Sequence, residues 1–350
     1  MGINCETLKE TRELMLKKLA NVIPEIEIAY KSEIVFEINK LKKERDAIIL
    51  GHNYMEPALY HTVPDVVGDS LYLSRQAALT DKKIIVFCGV EFMAETAKIL
   101  SPDKLVLLPA KEAGCSLAAS ITAQDVLDLR AKYPGVPIVT YINTYADVKA
   151  EVDYCCTSGN AVALVNSIKS DKIIFLPDEY LARNVAAETG KEIIVPDLKS
   201  PQSIESASDK PIMIGWKGRC EVHEKFTVND IKAVREQYPG VAVLSHPECS
   251  PEVVAASDFA NSTSRMVDYV KQTNAPYFLI LTECSMADNI IAENPEKEIV
   301  RMCSIRCPHM NQITLEDTLL ALREDKYPIE VPEDIRKRAK ISLDRMLAVH

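Results

Sequence analysis

The sequence predicts an α/β protein of three similar units with parallel sheets. Three observations lead there. From Ala47 onward, short apolar runs alternate with polar turns and helical stretches, the pattern of βα units whose strands run parallel. Polar residues recur at the ends of corresponding runs, where open α/β sheets present functional groups. A cysteine follows each unit: Cys115, Cys220 and Cys307, separated by 105 and 87 residues. Repeated units of this kind can converge on one central site.

The first 45 residues read as helix, a covering layer in which Leu8, Leu14, Leu16 and Leu19, then Ile26, Ile34, Ile38 and Leu41, recur at helical spacing. The first unit, 46–120, has apolar runs at 47–50, 84–88 and 105–108, with helices expected at 71–79 and 92–100. The second, 121–222, has runs at 137–142, 154–156, 173–176 and 192–195, with helices at 161–168 and 179–189. The third, 223–312, has 241–244, 258–260 and 277–281, with helices at 251–256 and 265–272. The polar stretch 200–210 reads as a surface crossing. In 313–350, Thr314-x-x-Asp317 is a capping signal for one helix and a second begins after Pro332, both packing on the outside.

First runs end in His52-Asn53-Tyr54, Tyr141-Ile142-Asn143-Thr144 and His246-Pro247-Glu248. Second elements are taken to end in Cys88-Gly89-Val90, Thr157-Ser158-Gly159-Asn160 and Ser262-Thr263-Ser264. Third runs end in Pro109, Pro177-Asp178 and Thr282-Glu283.

Composition is that of a globular protein, with 47% apolar and 26% charged residues. The net charge of −10 argues against a nucleic-acid polyanion or an anionic membrane as the main partner. The N-terminal residues alternate charged with apolar and lack the h-region of a secretory signal, and no apolar run is long enough to span a bilayer. The expected address is the cytoplasm, where the ten cysteines are reduced and serve packing, catalysis or metal ligation.

Local spacing offers neither a CxxC zinc ribbon nor a ferredoxin run. A buried cysteine is usually a small hydrophobe, but recurrence after each unit sets Cys115, Cys220 and Cys307 apart. Three thiolates leave one iron of a cubane cluster without a protein ligand, and an open iron is a Lewis acid for hydroxyl or carboxylate oxygens. Cys303 competes with Cys307 as the third ligand; Cys307, followed by Pro308, is taken. His52, Tyr54, His246 and Glu248 are candidate acid–base groups. His223 and Glu224 are read as orienting the loop around Cys220. There is no GxGxxG and no GxxxxGK[ST], so a phosphate would sit on Ser158, Ser262 and Thr263, where hydroxyls and free N–H groups meet at helix starts. Ordinary helix capping explains the same residues, and Gly68-Asp69-Ser70 has the same two readings.

Ordered blocks from Ala47 to Leu320 are similar to the quinolinate synthase family: His52-Asn53-Tyr54, Val67-Gly68-Asp69-Ser70-Leu71, Cys88 to Ala97, Tyr141-Ile142-Asn143-Thr144, Cys156 to Ala161, Gly218-Arg219-Cys220-Glu221-Val222-His223, His246-Pro247-Glu248-Cys249 and Cys307-Pro308. The resemblance implies three αβα sandwich domains in a pseudo-threefold, triangular arrangement around a central site with one 4Fe-4S cluster. It implies condensation of iminoaspartate with dihydroxyacetone phosphate to quinolinate in NAD biosynthesis, releasing phosphate and water, with L-aspartate oxidase or aspartate dehydrogenase as the iminoaspartate supplier. The family's ligands fall on Cys115, Cys220 and Cys307, and its substrate contacts on His52, Ser70, Tyr141, Asn143, Ser158, His246, Glu248 and Thr263. Tyr54 falls on the residue that moves protons. Ala260-Asn261 stands where a glycine is expected beside the Ser-Thr pair. Two other readings use the same residues: an iron-sulfur electron carrier or redox sensor, and a cluster-free sugar-phosphate enzyme.

Overall fold

The computed structural model describes residues 2–196, 210–301 and 305–349, so Cys303 and the stretch 200–209 lie outside the described residues. The first sheet comprises β1 (Ala47–His52), β2 (Val66–Gly68), β3 (Ile84–Cys88) and β4 (Leu105–Leu107), ordered β2-β1-β3-β4. The second comprises β5 (Ile138–Tyr141), β6 (Tyr154–Cys156), β7 (Lys172–Leu176), β8 (Glu192–Ile194) and β9 (Ile212–Ile214), ordered β6-β5-β7-β9-β8. The third comprises β10 (Ala242–Ser245), β11 (Phe259–Ala260), β12 (Phe278–Leu281) and β13 (Ile299–Val300), ordered β11-β10-β12-β13. The strand pairs are parallel, and helices cover both faces, giving three αβα units. Burial on both faces is why the central strands read as continuous apolar runs. In the third sheet Val243, Leu279 and Leu281 fill one core while Leu244, Phe278 and Ile280 fill the other, the alternation a strand requires.

The repeat holds residue by residue. Asp65, Asp153 and Asp258 each accept the backbone N–H of Ile49, Ile138 or Val243, at 2.9, 2.9 and 2.8 Å, early in the first strand of the unit. Each carboxylate also pairs with a cation from the preceding helix: Lys42 at 2.9 Å, Arg130 at 3.2 Å and Arg235 at 3.0 Å. These contacts tie the first strand to the start of the second.

Three loops repeat as well. After β4, β9 and β13 the chain passes Cys115, Cys220 and Cys307, then a single 3₁₀ turn beginning three residues on, at Ala118, His223 and Met310. Thr122, Thr227 and Thr314, each seven residues after its cysteine, cap the helices Ala123–Lys132, Val228–Gln237 and Leu315–Glu324 by accepting the N–H of Asp125, Asp230 and Asp317. The carbonyl of each cysteine accepts the N–H of the fourth residue on at 3.0 Å.

The structure departs from the sequence reading in four places. The N-terminal layer is two helices, Leu8–Leu19 and Glu25–Glu44, because Pro24 cannot continue the first and instead starts the second. In the first unit the second strand is β2, three residues long and hidden beside Pro64, so Gly68-Asp69-Ser70 ends the second strand and Cys88 the third. In the second unit β9 inserts between β7 and the edge strand β8, and it is β9 that leads to Cys220. Cys284 is disulfide-bonded, against the expectation of ten reduced cysteines. Among the described residues no helix is long and apolar enough to cross a membrane.

The C-terminal helices clasp the first two units. Thr318 of the helix Leu315–Glu324 lies 3.7 Å from the Cys88 sulfur of β3, and Ser342 of the helix Glu333–Leu347 donates to the Lys149 carbonyl at 2.8 Å.

Candidate active site

The first strands of all three sheets end in one cavity. β1 delivers His52 and Tyr54, β5 Tyr141 and Asn143, and β10 His246 and Glu248. The ends of the second strands add Asp69 and Ser70, Thr157 and Ser158, and Thr263. Functional groups gather at the carboxyl ends of parallel strands because the loops there are free of the sheet.

His52 and His246 are fixed in the same manner. The N–H of Tyr54 donates to His52 Nδ1 at 3.2 Å, and that of Glu248 to His246 Nδ1 at 3.4 Å. An imidazole whose Nδ1 accepts carries its proton on Nε2. Burial lowers His52 to about 4 and His246 to about 3, so both are neutral donors near pH 7. His246 Nε2 lies 3.2 Å from Ser158 Oγ.

A hydrogen-bonded chain crosses the cavity. The Tyr54 hydroxyl is 2.6 Å from Thr282 Oγ1, which is 2.9 Å from His223 Nε2. His223 Nδ1 is 2.8 Å from Glu248 Oε2, and the Tyr141 hydroxyl donates to Glu248 Oε1 at 2.5 Å. A carboxylate only accepts, so Nδ1 of His223 donates to Glu248; with that ring neutral, Nε2 accepts from Thr282 and Thr282 accepts from Tyr54. Burial alone would raise the carboxyl of Glu248; the imidazoles of His223 and His246, with the bonds from His223 and Tyr141, outweigh it and hold the group well below the usual carboxylate range. Burial, then the charge on Glu248, pushes Tyr54, Tyr141 and the buried acid Asp178 well above their ordinary values. Glu248 is thus a buried negative charge faced by protonated donors.

Cys115, Cys220 and Cys307 line the same cavity. The backbone N–H groups of the turn that follows each sulfur, at Leu117 and Ala118, Val222 and His223, and His309 and Met310, favour its thiolate against burial. The Ala118 contact measures 3.5 Å. Burial pushes the thiols of Cys115 and Cys307 up to about 12 and about 11, and that of Cys220 well above its ordinary value. Donors aimed at sulfurs that burial keeps from ionising alone are what a bound cationic centre completes, and the set fits an iron-sulfur enzyme. Donor atoms of Cys220, His223 and Glu248 also lie within 4.8 Å of one another, close enough for a single ion. Both nitrogens of His223 and both oxygens of Glu248 already have partners, so the cysteine set is the better match.

The model of the quinolinate synthetase A protein family matches residues 36–348. The chain belongs to that family. It is 50% identical over 332 residues to quinolinate synthase 1 of Mesorhizobium japonicum, covering 95% of this chain and 96% of the relative. Quinolinate synthase 2 of the same organism is 48% identical over 343 residues, covering 98% and 99%, and the quinolinate synthase of Xylella fastidiosa strain 9a5c is 50% identical over 317 residues, covering 91% and 86%.

In this quinolinate synthetase A family member the cavity wall includes His52, Tyr54, Ser70, Tyr141, Asn143, Ser158, His246, Glu248 and Thr263. Ser262 stands behind the wall: its hydroxyl donates to Asp69 at 3.1 Å, and Asn261 Oδ1 accepts its N–H at 2.9 Å. The non-glycine residues with positive φ among those described are Asp46, Asp325 and Tyr327, so Asn261 needs no left-handed backbone and the missing glycine is no obstacle. Two residues were undervalued in the sequence. His223, expected only to orient a loop, occupies the middle of the chain because the turn that presents Cys220 presents the imidazole three residues on. Thr282, at the end of β12, joins it to Tyr54, a link made only when the first and third units meet.

Proposed function

We propose that this chain condenses iminoaspartate with dihydroxyacetone phosphate to quinolinate, releasing phosphate and water, as a step of NAD biosynthesis in the cytoplasm. Cys115, Cys220 and Cys307 would hold one 4Fe-4S cluster. The observation that carries the reading is the placement of three equivalently built cysteine loops on the cavity that contains the Tyr54–Thr282–His223–Glu248–Tyr141 chain. The condensation and ring closure require protons to leave carbon and to reach departing hydroxyls, and a carrier or sensor has no use for such a chain.

When bound, the cluster supplies an open iron, a Lewis acid toward hydroxyl or carboxylate oxygens. The protein's own groups do the rest. Ser158 and Thr263, with Ser70 at the start of its helix, meet the phosphate with hydroxyls and free N–H groups. His52 and His246, neutral and protonated on Nε2, donate to substrate carboxylates without adding charge, and Tyr141 and Asn143 orient the dicarboxylate. Tyr54 passes its proton along Thr282 and His223 toward Glu248 as it takes one from the substrate, and the return of that proton converts a leaving hydroxyl to water. Iminoaspartate hydrolyses readily, so an enzyme that oxidises aspartate, an aspartate oxidase or dehydrogenase, is the natural supplier.

The test is anaerobic purification with iron and sulfide analysis, then an assay for quinolinate from the two substrates. About four irons per chain and product formation, with both lost in Cys115→Ala, Cys220→Ala and Cys307→Ala, would support the reading. A loaded protein that makes no quinolinate would refute the reaction, and a protein that binds no iron would refute the cluster.

A further inference from the structure

Two buried asparagines outside the cavity wall reach from one unit to the next in the same way. Asn184 Nδ2 donates to the carbonyls of Pro247 at 2.8 Å and Cys249 at 3.0 Å, the residues on either side of Glu248. Asn289 Nδ2 donates to the carbonyls of Asn53 at 3.2 Å and Met55 at 2.8 Å, on either side of Tyr54. Each asparagine stands six residues after the acidic N-cap, Asp178 or Glu283, of the helix that follows the third strand of its unit, Glu179–Glu188 or Cys284–Glu293. Each crosses to the first-strand turn of the following unit, the third unit following the second and the first following the third. An amide nitrogen has two hydrogens, and both are committed to the two carbonyls that bracket one residue of the chain across the cavity.

We infer that Asn184 and Asn289 are positioning residues for the reaction: each clamps the carbonyls of the residues before and after Glu248 or Tyr54 and so fixes the angle at which that side chain enters the cavity. Ordinary stabilisation accounts poorly for the arrangement. The Asn289 Oδ1 is buried without a partner, an arrangement that costs stability, and both amides bypass the backbone of their own units. The remaining interface completes the ring with other chemistry: Glu95, in the helix Glu91–Leu100 of the first unit, accepts the N–H of Ala146 at 2.9 Å just past the Tyr141 turn, and Lys149 donates to the Thr144 carbonyl within that turn. Each unit therefore sets the turn of its neighbour, and the alignment of Glu248 with Tyr54 depends on the second and third units together.

The inference rests on the roles proposed above for Glu248 and Tyr54, and its test separates the two. Asn184→Ala, Asn289→Ala and the near-isosteric Asn184→Asp and Asn289→Asp are compared with Asn39→Ala, which removes a buried amide that donates to the Thr62 carbonyl at 3.2 Å away from the cavity. The clamp variants should lose about 10²-fold in kcat, the scale on which a small misplacement of a reacting group is felt, with KM changed far less and iron content intact. Asn39→Ala should lower the unfolding midpoint while keeping kcat. Backbone hydrogen exchange gives a readout independent of the reaction: the amides of Glu248 and Cys249 should exchange faster in the Asn184 variants and those of Tyr54 and Met55 in the Asn289 variants, with neither changed by Asn39→Ala. Unchanged exchange in those segments overturns the clamp whatever the enzyme makes. Clamp variants with kcat within about twofold of wild type, or an equal loss in Asn39→Ala, overturn the positioning role. A wild type that makes no quinolinate counts against the reaction alone, and the exchange data still decide the clamp.

Discussion

The Tyr141 hydroxyl lies 2.5 Å from Glu248 Oε1, joining the first strand of the second unit to that of the third. Since His223 holds the other carboxylate oxygen at 2.8 Å, Glu248 is fully engaged from two units before any substrate arrives. Its charge is therefore in place before substrate binds, at the end of the path along which Tyr54 passes its proton.

Replacing that carboxylate with an amide tests the point. Glu248→Gln keeps the volume but gives the chain a group that donates as well as accepts, and kcat should fall by about 10²-fold or more, the usual contribution of a positioned acid–base group. Iron content should stay at the wild-type value; its loss would show that the carboxylate maintains the cysteine loops instead.

Thr282 carries a sharper test because only its hydroxyl is needed. Thr282→Val fills the same space and removes the link between Tyr54 at 2.6 Å and His223 at 2.9 Å. Turnover should drop by about 10²-fold and recover in Thr282→Ser, which restores the oxygen. Equal rates for valine and serine would remove Thr282 from the proton path.

Gly218 stands two residues before Cys220. A Cβ there would lie 2.6 Å from Ser120 Oγ and 2.5 Å from the Pro177 carbonyl oxygen, a backbone atom that does not yield cheaply. Gly218→Ala should destabilise the protein by about 1–3 kcal/mol, as overpacking does, and lower the iron retained on gel filtration. Denaturant unfolding and metal analysis of the same sample check both.

His61 predicts a dependence on acidity. It is 7% exposed, its Nε2 has no partner, and burial lowers it to about 4 from an ordinary 6.5. The unfolded chain therefore takes up this proton first as pH falls, so stability supplied by neutral His61 is present above pH 6.5 and is lost progressively down to about 4. His61→Gln should shrink the drop in melting temperature between pH 7 and pH 5. An unchanged drop would assign the acid sensitivity to other groups.

Much of the architecture could be read from the chain because the strands are buried on both faces and so appear as unbroken apolar runs between polar turns. The turns at His52, Tyr141 and His246 were legible for a related reason: a strand end facing a cavity needs polar side chains where a packed one does not. What escaped notice was short or distant. β2 and β9 are three residues each, too brief to outweigh the loops around them. Thr282 and the two clamping asparagines act across unit boundaries, and nothing local marks such contacts. The capping signal at Thr314 recurs: Thr-x-x-Asp begins seven residues after Cys115, Cys220 and Cys307 alike, whereas Met310 holds that position relative to Cys303. The cap that orients each loop distinguishes the recurring cysteine from its neighbour.

A ring of three separate copies would have cyclic symmetry, with every interface head-to-tail and every residue near the axis present three times. Joining the copies in one chain lifts that identity requirement. The tyrosine at 54 has no duty to be repeated at 143 or 248, where asparagine and glutamate stand, and the interface that uses Asn184 need not resemble the one that uses Glu95. Two unlike substrates can then meet in a centre whose framework is threefold while its chemistry is not.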